Sequence, residues 1–160
     1  MSIKRIYCDI SATTPLDPRI GEFLTDMNDH IYGNPSSIHR EGQAAKAVVE
    51  KSRRQIANAI NAQPDEIIFT SSGSESNNMV LKGVLCSGDH FITSSYEHPA
   101  ILKVLPYLES QNIDITLIKP DHNGMIQPAD IEENIQENTR LISIMWVNNE
   151  LGTINPIFEI

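Results

Sequence analysis

The stretch that decides the fold is IIFTSSGSESNNMVL, residues 67–81. The apolar run at its start, 67–69, predicts a short strand, and its second half predicts a helix over 74–85. The turn between the two consists almost wholly of small and polar residues. A strand that leads into a helix through such a turn is the first half of a βαβ unit.

The same alternation continues along the chain. Further short apolar runs lie at 91–93, 113–118 and 141–147, and segments of helical composition at 99–110 and 128–136 separate them. Strands that alternate with helices are typical of βαβ units. The sequence therefore predicts an α/β fold with a mainly parallel sheet and helices on both faces.

The first part of the chain has a different pattern. Asp17-Pro18 is a good N-cap and first-turn pair for a helix with apolar residues at three- and four-residue spacing. The longest helix is predicted from about residue 38 to residue 60. We accordingly predict an N-terminal arm and helical segment at 1–64, followed by an incomplete α/β cofactor-binding domain at 65–160.

Charge and composition exclude several classes of partner. The formal net charge is −9, so no basic field is available to bind nucleic acid or an anionic membrane surface. No run reaches membrane-spanning length, and the N-terminus has no signal-peptide pattern. Cys8 and Cys86 form no CxxC pair, which argues against a disulfide framework and a structural zinc site. We expect a cytoplasmic protein without a metal site.

Three loops are predicted to meet at one edge of the sheet. The carboxyl ends of parallel strands share an edge, and ligands of open α/β sheets bind there. The loops at 71–74, 95–98 and 148–152 would follow three of the predicted strands. Each loop alone is a weak signal, but their convergence predicts a ligand site.

The first loop is suited to an anion. Gly73 permits close approach of the backbone, the neighbouring serines offer hydroxyl donors, and the following helix presents its free N–H groups and positive dipole end. Local chemistry therefore predicts a phosphate site. The alternative is that Ser74 merely caps the helix while Asn77 and Asn78 face solvent.

The other two loops carry one candidate residue each. His98 precedes a helix-starting proline and could stack on a planar ring or move a proton, although a lone histidine is more often a cap or a surface residue. Asn149 and its neighbour Asn148 could fix a polar substituent of a ligand. The alternative for this loop is a turn with left-handed Asn residues before Gly152.

Five motifs, taken together, resemble the N-terminal part of a pyridoxal-phosphate-dependent cysteine desulfurase. This is the branch of the class V aminotransferases, of fold type I, used in iron–sulfur cluster assembly. The resemblance spans nearly the whole chain. The motifs are Asp9-Ile10-Ser11-Ala12-Thr13-Thr14-Pro15, Gly33-Asn34-Pro35-Ser36-Ser37-Ile38-His39, 70–77, Glu97-His98 and Val147-Asn148-Asn149-Glu150-Leu151-Gly152.

The resemblance implies a role for each candidate residue. Gly73 and Ser74 would bind the phosphate of pyridoxal phosphate. His98 would be catalytic, stacking on the pyridine ring and assisting proton transfers, and Asn149 would hydrogen-bond the ring oxygen. Two departures from the family pattern, Ile10 in place of Tyr and Ser74 in place of a frequent Thr, leave these assignments intact.

The resemblance also implies an activity. The expected enzyme converts L-cysteine to L-alanine and passes the sulfur, as a persulfide, to an iron–sulfur scaffold or another acceptor, and it is a homodimer. One alternative is another class V pyridoxal-phosphate enzyme such as a selenocysteine lyase. The other is a non-catalytic truncated or split module for dimerisation or scaffold binding.

Three expected groups of such an enzyme are not found in these 160 residues. They are the lysine in a Ser-x-His-Lys context that attaches the cofactor, the Asp that pairs with its ring nitrogen, and the mobile-loop cysteine. Cys86 falls on a predicted helix, as a buried small residue, and Asn155-Pro156 predicts a helix start just before the last residue. We therefore expect a truncated chain with weak cofactor binding and no stand-alone activity.

Overall fold

The computed structural model describes residues 5–160. These divide into two compact units, with the boundary between Phe69 and Thr70. The unit boundary lies after residue 69, whereas the sequence suggested a domain boundary after residue 64. The assignment of the two parts to an arm and a cofactor-binding domain stays a prediction.

Two helices make up most of the first unit. Helix α1 spans Pro18–His30, and the side chain of Asp17 caps it by accepting the Arg19 N–H at 2.9 Å. Helix α2 spans Arg40–Ala59. Both predicted helices are confirmed, and the predicted cap of the first is confirmed as well.

The loop before α2 lies directly against the start of that helix. A Cβ on Gly42 would come within 2.5 Å of the Ser37 carbonyl oxygen and within 2.7 Å of that of Asn34. No larger residue fits there without moving the backbone. Gly42 is therefore what allows the 33–37 loop to run so close to the helix.

The predicted strand at 67–69 is wrong. A short 3-10 turn at Pro64–Glu66 precedes this segment, and no strand of residues 5–160 pairs with it. The carbonyl of Ile67 accepts instead from the Arg53 guanidinium, which also lies over the Phe69 ring. Three apolar residues make a strand only where a neighbouring backbone completes their hydrogen bonds.

The second unit contains a three-stranded parallel sheet in the order β2-β1-β3. Its strands are β1 His90–Ser94, β2 Asp114–Ile118 and β3 Thr139–Ser143. The last strand ends earlier than the predicted 141–147, because the chain then turns and Val147 pairs with Ile154 in an isolated antiparallel bridge. The predicted parallel sheet is confirmed.

The helices of this unit are α3 Gly73–Val84, α4 Pro99–Leu102, α5 Leu105–Ser110 and α6 Pro128–Glu132. The single helix predicted over 99–110 is divided in two. Pro106 has no N–H to donate, and its ring would clash with the carbonyl of Leu102, so a continuous helix cannot pass through it. Helix α6 is also shorter than the predicted 128–136.

Both faces of the sheet are covered, as predicted. Phe91 points to one face, where it packs with residues of α3, α4 and α5 such as Leu81 and Leu108. Ile92 points to the other face and packs with Ile126 and with Ile131 of α6. The alternation of β1 side chains thus separates two apolar clusters.

Two further predictions need correction. Cys86 is exposed and lies just after the end of α3, where its N–H donates to the Asp89 carboxylate at 2.7 Å. Asn155 caps no helix, because the residues after it form only a turn, and its side chain is fully buried. No helix among residues 5–160 is both long and apolar enough to span a bilayer.

Candidate functional site

The first candidate loop forms the N-terminus of α3. Ser72, and not Ser74, is the N-cap, since its Oγ accepts the Glu75 N–H at 3.2 Å. Asn77 and Asn78 are half-buried, so the alternative of a Ser74 cap with solvent-facing Asn residues is wrong. The hydroxyl of Ser74 takes no part in this capping hydrogen bond.

The first turn of α3 has room for a ligand. A Cβ on Gly73 would meet nothing within 4 Å, and both Gly73 and Ser74 are exposed. Within residues 5–160, no carbonyl outside the helix accepts from either amide. Free amides at the positive end of a 12-residue helix suit a phosphate group.

The carboxylate of Glu75 lies beside the first turn of α3. Glu75 Oε2 accepts from the N–H and from the hydroxyl of Ser71, each at 2.6 Å. The hydroxyl bond is the main reason that the pKa of Glu75 lies below its ordinary value. Ser71 is thereby engaged, so an incoming phosphate would meet the residues after Ser72.

His98 is the N-cap residue of helix α4, and it is exposed. Its Nδ1 accepts the Ala100 N–H at 3.0 Å, so the proton of the neutral ring is on Nε2. The expectation that such a histidine is a cap or a surface residue is confirmed for the position of His98. The cap also fixes the ring, with its Nε2–H available to a ligand.

The third loop is held by Asn148. This residue is only 4% exposed, and its Oδ1 accepts the N–H groups of Glu150 and Leu151 at 2.9 and 2.8 Å. Asn149 is exposed beside it. Neither Asn is left-handed, which corrects that alternative, whereas Gly152 has a φ of 74°.

The structure brings two of the four candidate residues together. His98 and Asn149 line one depression of about 360 Å³ at the carboxyl edge of the sheet. A second depression, of about 260 Å³, contains His98 and Asn77 of α3. Gly73 and Ser74 line neither depression but precede Asn77 by about one helical turn.

Sequence reasoning missed Asn77 and gave Glu97 no role of its own. Asn77 is three residues after Ser74, a spacing that puts both on one side of a helix, and this spacing could have identified it. Glu97 lines both depressions and is 6% exposed. No local pattern predicts its burial, because that depends on the loop after β3.

The electrostatics of Glu97 are unusual for a carboxylate. Burial raises the pKa of Glu97 above its ordinary value. Hydrogen bonds from the Met145 N–H and the Ser94 hydroxyl, both at 2.8 Å to Oε1, and the nearby His98 oppose this shift in part. None of the ion pairs among residues 5–160 involves Glu97.

Comparison with known proteins identifies the family of this chain. Residues 6–160 match the profile of the family Aminotransferase class-V. The chain belongs to the class V aminotransferase family. Enzymes of this family depend on pyridoxal phosphate, and a helix N-terminus with open space, an exposed imidazole and an exposed amide fit the phosphate, the ring and the ring oxygen of that group.

Among curated relatives, the chain is 44% identical to the cysteine desulfurase IscS of Dictyoglomus turgidum, over 98% of this chain and 41% of the relative. It is 46% identical to the cysteine desulfurase IscS of Pseudomonas savastanoi pv. phaseolicola, over 97% of this chain and 40% of the relative. The class V chain thus spans about 40% of the length of these relatives.

Two solved structures resemble the fold closely. A NifS-like protein superposes with a TM-score of 0.91 at 36% identity, over 96% of this chain and 43% of that protein. SspA in complex with cysteine superposes with a TM-score of 0.86 at 37% identity, over 96% of this chain and 45% of SspA. The α/β fold of this class V member is therefore that of the NifS-like proteins.

Proposed function

We propose that these 160 residues form the N-terminal portion of a cysteine desulfurase, which converts L-cysteine to L-alanine and transfers the sulfur as a persulfide. The observation that carries the proposal is the meeting of His98 and Asn149 in one depression at the carboxyl edge of the sheet. The IscS relatives at 44% and 46% identity support the choice of reaction.

Four residues of this chain would hold and use the cofactor. The free amides of Gly73 and Ser74 and the Ser74 hydroxyl would bind the phosphate. The Asn149 amide would donate to the ring oxygen. His98 would lie on the ring and move a proton through Nε2, because its Nδ1 is already used in the cap. Pyridoxal phosphate, when bound, supplies the electron sink that such chemistry needs.

The substrate and partners follow from the same comparison. SspA was solved in complex with cysteine, and this supports L-cysteine as the substrate here. We further propose a homodimer located in the cytoplasm that delivers sulfur to an iron–sulfur scaffold or another acceptor. The IscS names of the relatives support the iron–sulfur connection.

The 160 residues alone are proposed to bind the cofactor weakly and to lack turnover. None of their lysines stands in a Ser-x-His-Lys context. Both cysteines, Cys8 and Cys86, are unpaired and exposed, and neither lines one of the two depressions. A covalent anchor for the cofactor and a sulfur-accepting thiol at the site would have to come from additional polypeptide.

A fusion tests the proposal. The 160 residues are joined to the remaining segment of the Dictyoglomus turgidum relative, and alanine release from L-cysteine is measured with pyridoxal phosphate present. We expect turnover by the fusion and none by the 160 residues alone. A matched fusion that carries His122→Ala, an exposed histidine remote from the site residues in sequence, should keep full turnover.

A fusion that folds and takes up pyridoxal phosphate but releases no alanine would contradict the desulfurase assignment. Release of selenide from selenocysteine by that same fusion would point instead to a selenocysteine lyase. A fusion that takes up no cofactor, although folded, would favour a non-catalytic module.

A further inference from the structure

Glu97 is a buried carboxylate that joins two loops of the candidate site. Its Oε1 accepts the hydroxyl of Ser94, the last residue of β1, and the N–H of Met145, which lies two residues after the end of β3. Both bonds are 2.8 Å long. The single oxygen atom therefore connects the end of one strand to the segment that leaves its neighbour.

The structural role of this side chain requires an oxygen acceptor and not a charge. A glutamine side chain has an oxygen that could accept both hydrogen bonds, and it carries no charge that burial would penalise. Glu97 has no cationic ion-pair partner among residues 5–160. Glu97 lines both the depression with Asn77 and the depression with Asn149, which connects this acceptor to the site.

Met145 lies in the segment that leads from β3 to the third loop, and two hydrogen bonds fix its backbone. Its N–H donates to Glu97, and its carbonyl accepts the Asn155 Nδ2 at 2.8 Å. Asn155 in turn accepts the Ile126 N–H at 2.9 Å. The main chain before Asn149 is thus held from one side by Glu97 and from the other by a fully buried amide.

We infer that Glu97 is a positioning residue of this site: its Oε1 holds the segment that carries Asn149 against the end of β1, which carries His98. Glu97 itself contacts neither reacting atoms nor cofactor in this role. The inference rests on the proposed function in that it takes His98 and Asn149 as the residues that meet the ligand.

Two substitutions of similar size separate the hydrogen bonds from the packing. Glu97→Gln keeps an oxygen acceptor, and Glu97→Met fills the same space without one. Glu109→Ala, an exposed carboxylate of α5, is the control. In the 160-residue chain, amide hydrogen exchange at Met145 should be at least about tenfold faster in the Met variant, because the local opening becomes easier.

The Gln variant should stay within about threefold of wild type in the same exchange measurement. Trp146 gives an independent signal, since it is the single tryptophan of the chain, is 56% exposed and packs edge-on against Phe158. Acrylamide should quench the fluorescence of Trp146 more strongly in the Met variant than in wild type, and equally in the other two variants and wild type. Circular dichroism should be unchanged in all three variants.

The affinity for pyridoxal phosphate is the second readout. We expect the Met variant to bind it about tenfold more weakly than wild type, which is about 1.4 kcal/mol, and the Gln variant to bind it nearly as well. A purely packing role would leave the Met variant normal. Normal affinity in Glu97→Gln together with reduced affinity in Glu97→Met is the result expected only if the hydrogen bonds of Oε1 matter.

Several results would overturn the inference. They are unchanged exchange at Met145 in the Met variant, equal damage in the Gln and Met variants, and global unfolding of the Met variant, since the assigned role is local. A wild-type chain that binds no pyridoxal phosphate would count against the weak cofactor binding proposed for these 160 residues. Hydrogen exchange at Met145 and the fluorescence of Trp146 would still test the role of Glu97.

Discussion

Two histidines of β1 and its following loop show how position separates a structural role from a functional one. His90, at the amino end of β1, is fully buried, and its ring nitrogens lie 2.7 Å from the Thr139 hydroxyl and 2.9 Å from that of Thr116. It therefore ties the three strands together. His98, beyond the carboxyl end, is exposed and keeps Nε2 available.

Replacing His98 should remove catalysis while the fold is kept. His98→Asn preserves an N-cap side chain for α4 but lacks the ring. In the fusion with the relative's remaining segment, we expect alanine release to fall by roughly 10²-fold or more, as for loss of a general acid–base group. Cofactor binding, followed by its absorbance, should be retained through the phosphate site.

His122→Asn in the same fusion is the matched control, since His122 is exposed and lines neither depression. Turnover of the His98→Asn fusion within about threefold of wild type would refute the catalytic role of His98.

The burial of Glu97 should make stability depend on pH. Because the folded chain raises the pKa of Glu97 above its ordinary value of 4.5, it binds the proton more tightly than the unfolded chain does. This contribution is present below 4.5 and is lost as pH rises through the folded pKa. The unfolding free energy of wild type relative to Glu97→Gln should therefore fall as pH rises from about 4 through the raised pKa of Glu97.

Urea unfolding of both proteins across this range measures the effect. The other titrating groups are common to the two chains, so their contributions cancel in the difference apart from the coulombic interaction of Glu97 with His98. A difference that stays constant, or that grows in favour of wild type as pH rises, would show that burial does not govern this carboxyl group.

At the scale of the element, the N-terminus of α3 combines a cap and a candidate ligand site. Ser72→Ala removes the cap and should cost about 1 kcal/mol in the free energy of unfolding. Ser74→Ala leaves the cap intact and should cost much less, while weakening the binding of pyridoxal phosphate. Urea unfolding and cofactor titration of both variants check this separation.

A larger loss of stability in Ser74→Ala than in Ser72→Ala would make Ser74 the cap. Weaker cofactor binding in Ser72→Ala only would make Ser72 the phosphate-binding residue. Equal loss of stability in both variants would mean that the Ser72 Oγ bond to the Glu75 N–H, at 3.2 Å, is not what fixes the start of the helix.

At the scale of the whole molecule, the core of the second unit should control its stability. Leu81 of α3 is 1% exposed and packs with Phe91 of the central strand. Leu81→Ala should lower the free energy of unfolding by about 2–5 kcal/mol through lost burial and the cavity left behind. Val80→Ala, at a residue 48% exposed, should cost less than about 1 kcal/mol.

Urea unfolding followed by circular dichroism compares the two variants. Similar costs at the two positions would mean that α3 does not pack on the sheet through Leu81, and the predicted covering of that face of the sheet would then lack its main contact.

The sequence by itself determined the features that depend on near neighbours. The Asp17 cap, the bounds of α2 and the alternation of parallel strands with helices were all predicted, because capping and hydrophobic periodicity act within a few residues. The candidate residues Gly73, Ser74, His98 and Asn149 were also found this way, on motifs whose spacing is visible in the chain. Their roles stay predictions.

Only the tertiary structure decided the features that need distant partners. The run 67–69 fails as a strand because no backbone in residues 5–160 pairs with it. Asn155 is a buried link between Ile126 and Met145, and the buried Glu97 accepts the Met145 N–H. Each outcome depends on hydrogen-bond partners that lie 10 to 48 residues away, beyond the reach of any local pattern.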